Sequence, residues 1–384
     1  MNRAKWLQET RQMRFEEAYE GWTKSRLTQE EAANLLGVCS RTFRRYVDRY
    51  EEDGLDGLRD KRLSEVSHRR APVDEVMKLV ERYRDHHRGW NVRHFHSWYR
   101  RDGGQRSYTW VKSQLQGAGA VKRYAKRGAH RKRREAAPWP GMMLHQDGST
   151  HEWVVGQRWD LIVTMDDATN EHYSMFFCEQ EGTRSSFRGV REVIESKGLF
   201  CSLYTDRGSH YWHTPQAGGQ VDKNNPTQFG RAMKQLGIEM IPAYSPQARG
   251  RCERVFRTHQ DRLVKELAAA DIIDMDAANR YLQKEYLPAY NAQFSKPARE
   301  AGSAFVACRD LSVLDDILCE RHERMVGADN CVRYRRKVLQ IPADRHRCHY
   351  VKARVQVLDY PDQGLAVHHG PRELARYDAR GQLL

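Results

Sequence analysis

The order of apolar and polar positions changes character several times along the 384 residues. Up to about residue 65 the spacing is helical. In LTQEEAANLLGVCSRTFRRYVDRY, Ala32, Ala33, Leu35 and Leu36 line one apolar face. Phe43, Tyr46 and Val47 line a second face in the same stretch. Thr28 with Glu31 three positions on reads as a capping box, and Ser40 reads as the cap of the next helix. Gly37 between them permits a sharp turn. Two short helices about a glycine turn predict a helix-turn-helix, leaving Arg41, Arg44 and Arg45 outside to meet base edges and phosphates. A plain helical hairpin with a solvated arginine face is the alternative.

Residues 66–118 read as a second helical, DNA-binding module. Val76, Leu79, Val80 and Tyr83 recur at helical spacing, and two further helices flank Gly103 and Gly104. His86, His87, His94 and His96 do not suggest a metal site, because no cysteine is near and positions two apart diverge on a helix. A basic linker, 119–138, follows. Lys122, Arg123, Lys126, Arg127, Arg131, Lys132, Arg133 and Arg134 occur there with no acid among them. Such a run repels itself, stays extended and can lie along a phosphate backbone; a solvated tether is its other use.

From 139 to 300 the texture is α/β. LIVTMDD and YSMFFCE predict a hairpin, Ser185–Ser196 a helix, FCSLYTD a strand, FGRAMKQLGI a helix and EMIPA a strand. Residues 301–328 read as a helical connector. In 329–384, Val351, Ala353, Val355 and Val357 alternate with polar positions, and RRKVLQI precedes them. Three or four short antiparallel strands predict a small β-barrel, made basic on one side by Arg333, Arg335, Arg336 and Lys337, for DNA contact.

Charge sharpens this reading. Lys and Arg number 65 against 51 Asp and Glu, a net +14, which attracts polyanions. The eight cysteines form no CxxC and no disulfide framework. No signal-like apolar segment opens the chain, and no run nears the ~20 apolar residues of a membrane span. A soluble, cytoplasmic protein is expected.

Three acids stand in settings that suit chemistry. Asp147 ends an apolar run in MMLHQDGST, Asp206 ends a strand in CSLYTDRGSHY, and Glu253 rides a long helix that begins near Pro246. Phosphodiester chemistry needs an activated attacking oxygen and a stabilised leaving oxygen, and two Mg²⁺ ions ~3.5–4 Å apart supply both. Mg²⁺ favours hard carboxylate oxygens. Asp166, Asp167, Glu195 and Asp222 compete for the role by context, and Glu253 could instead pair with Arg249 or Arg257 on a helix surface.

On HQDGS, YTDRGSHY and IPAYSPQARGRCERVFRTHQDRLVKEL, the sequence resembles transposases and retroviral-type integrases with a DDE catalytic core. The likeness is to insertion-sequence transposases with an N-terminal helix-turn-helix, and it is strongest over 139–270. It implies an RNase H-like fold with a mixed five-stranded sheet. It implies that Asp147, Asp206 and Glu253 are catalytic and hold two Mg²⁺ ions, with Mn²⁺ as a substitute. The implied activity is nicking at element ends, then attack of the freed 3′-OH on target DNA. Duplex DNA, as terminal inverted repeats and target, and further copies of the chain are the implied partners. Between Asp206 and Glu253 lie 46 residues, more than the family usually has, and WHTPQAGGQVDKNNP reads as the loop that absorbs them. The integrase His-His-Cys-Cys module is lacking, so no structural zinc is implied. Near the acids, His145, His210, Arg249 and Arg251 are candidates to touch phosphate. Tyr244 and Ser245 would shape a turn, and Gly208 and Gly250 would allow close approach. A DNA-binding regulator without catalysis, and a nuclease without joining activity, are the alternatives.

Overall fold

The computed structural model describes residues 3–59, 71–123, 135–216, 219–244, 246–361 and 364–384. The chain divides into two compact units, Met1–Arg82 and Tyr83–Leu384.

In the first unit, α1 (Arg3–Thr23), α2 (Gln29–Leu35) and α3 (Ser40–Asp53) precede a 3₁₀ turn at Gly54–Leu58. Phe15, Ala18, Ala32, Ala33, Phe43 and Val47 form their core. The capping box is present: Thr28 Oγ1 accepts from Glu31 N–H at 3.3 Å, and Glu31 Oε2 accepts from Thr28 N–H at 2.7 Å. Gly37 turns the chain with φ +66°, a conformation that suits glycine. Two details depart from expectation. Cys39 rather than Ser40 occupies the N-cap of α3, and its side chain makes no cap bond. Leu35 is 52% exposed, because seven-residue α2 buries only the narrow stripe at Ala32 and Ala33. Arg41, Arg44 and Arg45 point outward from α3. The division between the units falls within α4 (Val73–His86).

The second unit is built on a five-stranded sheet of order β3-β2-β1-β4-β5, from β1 (Met143–Val154), β2 (Gln157–Asp166), β3 (His172–Cys178), β4 (Ser202–Thr205) and β5 (Glu239–Pro242). The first three strands are antiparallel, while β4 and β5 run parallel to β1, so the sheet is mixed as expected. One face carries α7 (Thr183–Lys197) and α8 (Gln228–Gln235), packed through Leu144, Phe187, Val190, Leu203 and Phe229. The other carries α9 (Pro246–Ala269), α10 (Met275–Tyr281), a π-helical turn (Leu282–Tyr286) and α11 (Leu287–Phe294). Trp153, Leu161, Phe177, Phe256 and Leu263 fill that side.

The free edge of β3 is covered by amide side chains. Asn279 exchanges hydrogen bonds with Phe177 N and O at 2.7 and 3.1 Å, and Asn291 does the same with His172 at 2.9 and 2.8 Å. Gln283 Nε2 donates to Met175 O at 2.8 Å. Helical side chains thus take the place of a sixth strand and blunt an edge that would otherwise pair.

Upstream, α5 (Val92–Arg101) and α6 (Tyr108–Gly117) flank the Gly103–Gly104 turn. Within this unit α5 docks on α9. Buried His94 Nε2 meets Glu266 Oε1 at 2.7 Å, Tyr281 donates to Glu266 Oε2 at 2.8 Å, and Asn91 pairs with Asp261. Lys122 and Arg123 are exposed at the start of the linker. Lys126, Arg127, Arg131, Lys132, Arg133 and Arg134 lie outside the described residues.

The end of the chain differs from expectation in three ways. The stretch 301–328, expected to be helical, holds only α12 (Val313–Ile317) before β6 (Glu320–Met325) begins. β6 reads ERHERM and has no apolar alternation to announce it. Second, the strands do not close into a barrel. β6 forms an open antiparallel sheet of order β11-β10-β9-β6 with β9 (Arg354–Asp359), β10 (Leu365–His369) and β11 (Arg372–Tyr377). A separate hairpin pairs β7 (Cys331–Tyr334) with β8 (Lys337–Gln340). Alternation specifies which side chains turn inward, and here Val332, Leu339, Val355, Val357 and Val367 share one core. Closure depends on edge pairing, which alternation does not encode. Third, the basic side is partly neutralised: Arg333 pairs with Asp329 at 2.8 Å, and Arg335 with Asp359 at 2.7 Å.

Candidate active site

Parallel pairing aligns Met143 with Ser202, Leu144 with Leu203 and His145 with Tyr204. Carried two residues further, the same register sets Asp147 across from Asp206. The alternation of β1 then assigns faces. Gln146 donates to Ser186 O on α7 at 3.2 Å, whereas Ser149 accepts from Gln260 Nε2 on α9 at 3.0 Å. Asp147, odd-numbered like Ser149 and Trp153, therefore belongs to the α9 face.

Asp147 is not at the end of a strand, as the sequence suggested, but inside β1, which continues to Val154 in pairing with β2. Its apolar run ends there because the strand leaves the parallel core and enters an antiparallel ribbon. Asp147 Oδ1 accepts from Gly148 N–H at 3.2 Å, and Asp206 Oδ1 from Gly208 N–H at 2.8 Å. Both aspartates are half-buried. Burial pushes the Tyr211 phenol well above its ordinary range, and the negative charges of Glu181, Asp147 and Asp206 add to that.

Glu253 is exposed on α9, whose opposite side buries Cys252, Phe256, Leu263 and Leu267. It precedes Gln260 by two helical turns on the same stripe. Among the described residues, no three His, Cys, Asp or Glu side chains come close enough to hold a metal ion. The β1–β4 pairing thus brings the segments that carry the two aspartates side by side, and Glu253 lies on a separate helix. The backbones of Arg249 and Arg251 lie in α9, and their side chains are outside the described set.

The competing acids have structural partners. Asp166 accepts from Gly141 N–H at 2.9 Å and Thr169 N–H at 2.8 Å. Asp167 accepts from Ala137 N–H at 2.7 Å and meets His145 Nε2 at 2.7 Å. Asp222 caps its own turn at Asn224 N–H, 2.9 Å away, and Glu195 pairs with Arg191 at 3.4 Å. His145 is thereby buried against Asp167 and the Tyr204 ring. Tyr244 is 52% exposed, with Arg207 over its ring; Ser245 lies outside the described residues. Gly208 is closely approached, since an added Cβ would stand 3.0 Å from Asp206 Oδ1, whereas Gly250 faces open space. The extended stretch before α8 is loop, yet it is anchored: Trp212 and Val221 enter the core, and Arg207 donates to Gly219 O at 2.8 Å. Sequence reasoning missed Glu181, which lies against Gly148; no local pattern marks it.

The winged helix-turn helix family matches residues 17–72. The chain is 32% identical over 354 residues to the putative transposase y4bF of Sinorhizobium fredii (strain NBRC 101917 / NGR234), spanning 89% of this chain and 75% of that protein. It is 27% identical over 197 residues to the transposase for insertion sequence IS1202 of Streptococcus pneumoniae, spanning 51% of this chain and 42% of that one. Among solved structures, the HTLV-2 integrase catalytic core domain in complex with magnesium is similar over 38% of this chain and 85% of its own, with 16% identity and a TM-score of 0.29. A chain of a simian T-cell lymphotropic virus intasome is similar over 68% and 84%, with 13% identity and a TM-score of 0.33. A winged helix-turn helix match thus precedes a mixed five-stranded sheet with helices on both faces. By its likeness to y4bF over most of both chains, the chain belongs to a family of transposases.

Proposed function

We propose that this transposase binds the ends of its element and catalyses metal-dependent strand cleavage followed by 3′-OH strand transfer. Asp147, Asp206 and Glu253 are the metal-holding carboxylates in this reading. The observation that supports it is the β1–β4 register, paired as far as His145 and Tyr204, which carried on by two residues would bring Asp147 level with Asp206. Their donors are hard carboxylate oxygens, a set that fits Mg²⁺ and accepts Mn²⁺. Asp147, Asp206 and Glu253 would hold the ions between them. Bound metal would activate the attacking oxygen and stabilise the leaving one. The Gln260–Ser149 bond ties α9 to β1 seven residues beyond Glu253.

Arg41, Arg44 and Arg45 meet the inverted repeats from α3, and Lys122 and Arg123 begin the linker's track along the backbone. Arg249 and Arg251 serve phosphate beside Glu253. Two element ends must be held together, so the working form on DNA is a homo-oligomer. Among the described residues no helix is long and apolar enough to cross a membrane, and the proposed place of action is the cytoplasm, on nucleoid DNA.

The test is a cleavage and joining assay with the repeats that flank the gene, in Mg²⁺ or Mn²⁺. Asp147→Asn, Asp206→Asn and Glu253→Gln should each lower cleavage by about a hundredfold or more. An Asp147→Asn protein that cuts and joins at the wild-type rate would overturn the proposal. Pre-cut ends that yield no joined product would reduce the activity to that of a nuclease.

A further inference from the structure

The paired backbones of β1 and β4 stop at His145 and Tyr204, two residues short of the aspartates. Beyond that point the ladder no longer fixes how far apart Asp147 and Asp206 stand. Other ties cross the gap on the reverse face of the sheet. Gln146 and Gly148, the neighbours of Asp147, both face the α7 side; Gln146 is met by Tyr211 from the turn that follows Asp206, and Gly148 by Glu181.

Tyr211 Oη donates to Gln146 Oε1 at 3.2 Å. Gln146 is held in place by its own donations to Thr164 Oγ1 at 3.0 Å and Ser186 O at 3.2 Å. On the other side of Asp147, the Glu181 carboxylate lies over Gly148, and a Cβ added there would stand 2.3 Å from Glu181 Oε2. The backbone of Glu181 is anchored, its N–H donating to buried Asp160 at 2.6 Å. Glu181 Oε1 stands 3.5 Å from His210 Nε2, and these two buried atoms have no hydrogen-bond partner among the described residues. The far side of the His210 ring rests on Gly208: an added Cβ would meet its Cε1 at 3.0 Å and its Nδ1 at 3.2 Å. Gly208 N–H in turn holds Asp206 Oδ1. A chain of contacts thus runs from Gly148 through Glu181 and His210 to Gly208, and a parallel one from Gln146 to Tyr211. The His210 and Tyr211 rings lie tilted at 46° to each other with centroids 3.9 Å apart, which couples the chains.

We propose that Glu181, His210 and Tyr211 form a brace on the reverse face that sets the separation of Asp147 and Asp206, and that Gly148 is glycine to seat it. These are positioning residues, since their contacts run to Gln146, Gly148 and Gly208, the neighbours of the aspartates. The inference rests on the metal-carboxylate reading above. Metal ligands must hold their places to within about 0.5 Å, and loss of an outer-shell support typically costs 10–100-fold in metal affinity.

The experiment is Mn²⁺ binding to the full chain, read as loss of the free-ion electron paramagnetic resonance signal, with cleavage measured over the same range. Glu181→Ala and Gly148→Ala should each weaken Mn²⁺ binding about tenfold. Cleavage should recover when Mn²⁺ is raised by the same factor, with an unchanged thermal midpoint. Glu181→Gln, which keeps an oxygen facing His210, should bind closer to wild type. The double variant should bind no more weakly than Gly148→Ala alone, because both changes remove one contact. Wild-type Mn²⁺ affinity in Glu181→Ala, or fully additive losses in the double variant, would overturn the brace. Asp147→Asn is the control: if it too binds Mn²⁺ like wild type, the metal reading itself fails, and the brace with it.

Discussion

Gln260 on α9 donates to Ser149 on β1 at 3.0 Å, two residues beyond Asp147. The bond joins the glutamate-bearing helix to the central strand at the height of the site. Gln260→Ala should cost about 0.5–1.5 kcal/mol in urea unfolding, the usual net worth of one hydrogen bond. Cleavage should fall by more than this loss of folded protein explains, because α9 is then less tightly set. Unchanged kcat at full occupancy of the folded state would show that Glu253 does not depend on this tie.

A buried relay makes stability depend on pH. His172 Nδ1–H donates to Asn170 O at 3.1 Å, so its Nε2 must accept from His259 Nε2–H at 3.0 Å, and His259 Nδ1 accepts from Tyr286 at 3.0 Å. Burial pushes the His172 imidazole down to about 4 and that of His259 well below its ordinary range. The unfolded chain takes up these protons near pH 6.5, the folded chain only further down. Their contribution is therefore complete above pH 6.5 and is lost as pH falls towards about 4. Urea midpoints measured at pH 7.5 and 5 should drop by an amount equivalent to roughly 1–3 kcal/mol. His172→Gln should flatten that slope, and a slope unchanged by this substitution would rule the relay out as its source.

The amide ladder on β3 should matter to solubility as well as stability. Asn291→Ala leaves His172 N–H and C=O without their partners, at a cost of about 1–3 kcal/mol. The uncovered edge should also raise aggregation on heating, followed by light scattering. Asn291→Asp would keep an acceptor but lose the donor, and should fall between the two.

For the N-terminal unit, Arg44→Ala and Arg45→Ala should weaken binding to element ends in fluorescence anisotropy. A residue on phosphate should lower the salt slope by about one, while a residue on a base edge should cost about 1–3 kcal/mol and relax sequence preference. If the triple variant that also carries Arg41→Ala bound the repeats like wild type, α3 would not be the reading helix.

Much of this was legible in local pattern. The capping box at Thr28 and Glu31, the turn at Gly37, the hairpin of β2 and β3 and the helix after Pro246 each depend on neighbours in sequence. The length of β1 was not, because its second half pairs with β2 through THEW, which lacks an apolar alternation. β6 was hidden for the same reason, its partners being supplied by β9 rather than by its own side chains.

Residue order alone indicated many of the helices and strands and their apolar faces, and singled out Asp147, Asp206 and Glu253 as candidates. Tertiary structure decided what those residues stand next to. Parallel pairing brought the segments that carry two aspartates side by side, and the glutamate lies on a separate helix. Packing gave Asp166 and Asp167 to buried amides, and Glu181 to the glycine beside Asp147. The physical reason is range: periodicity and capping act over a few residues, whereas strand register and buried polar pairing bring together groups that no local spacing connects.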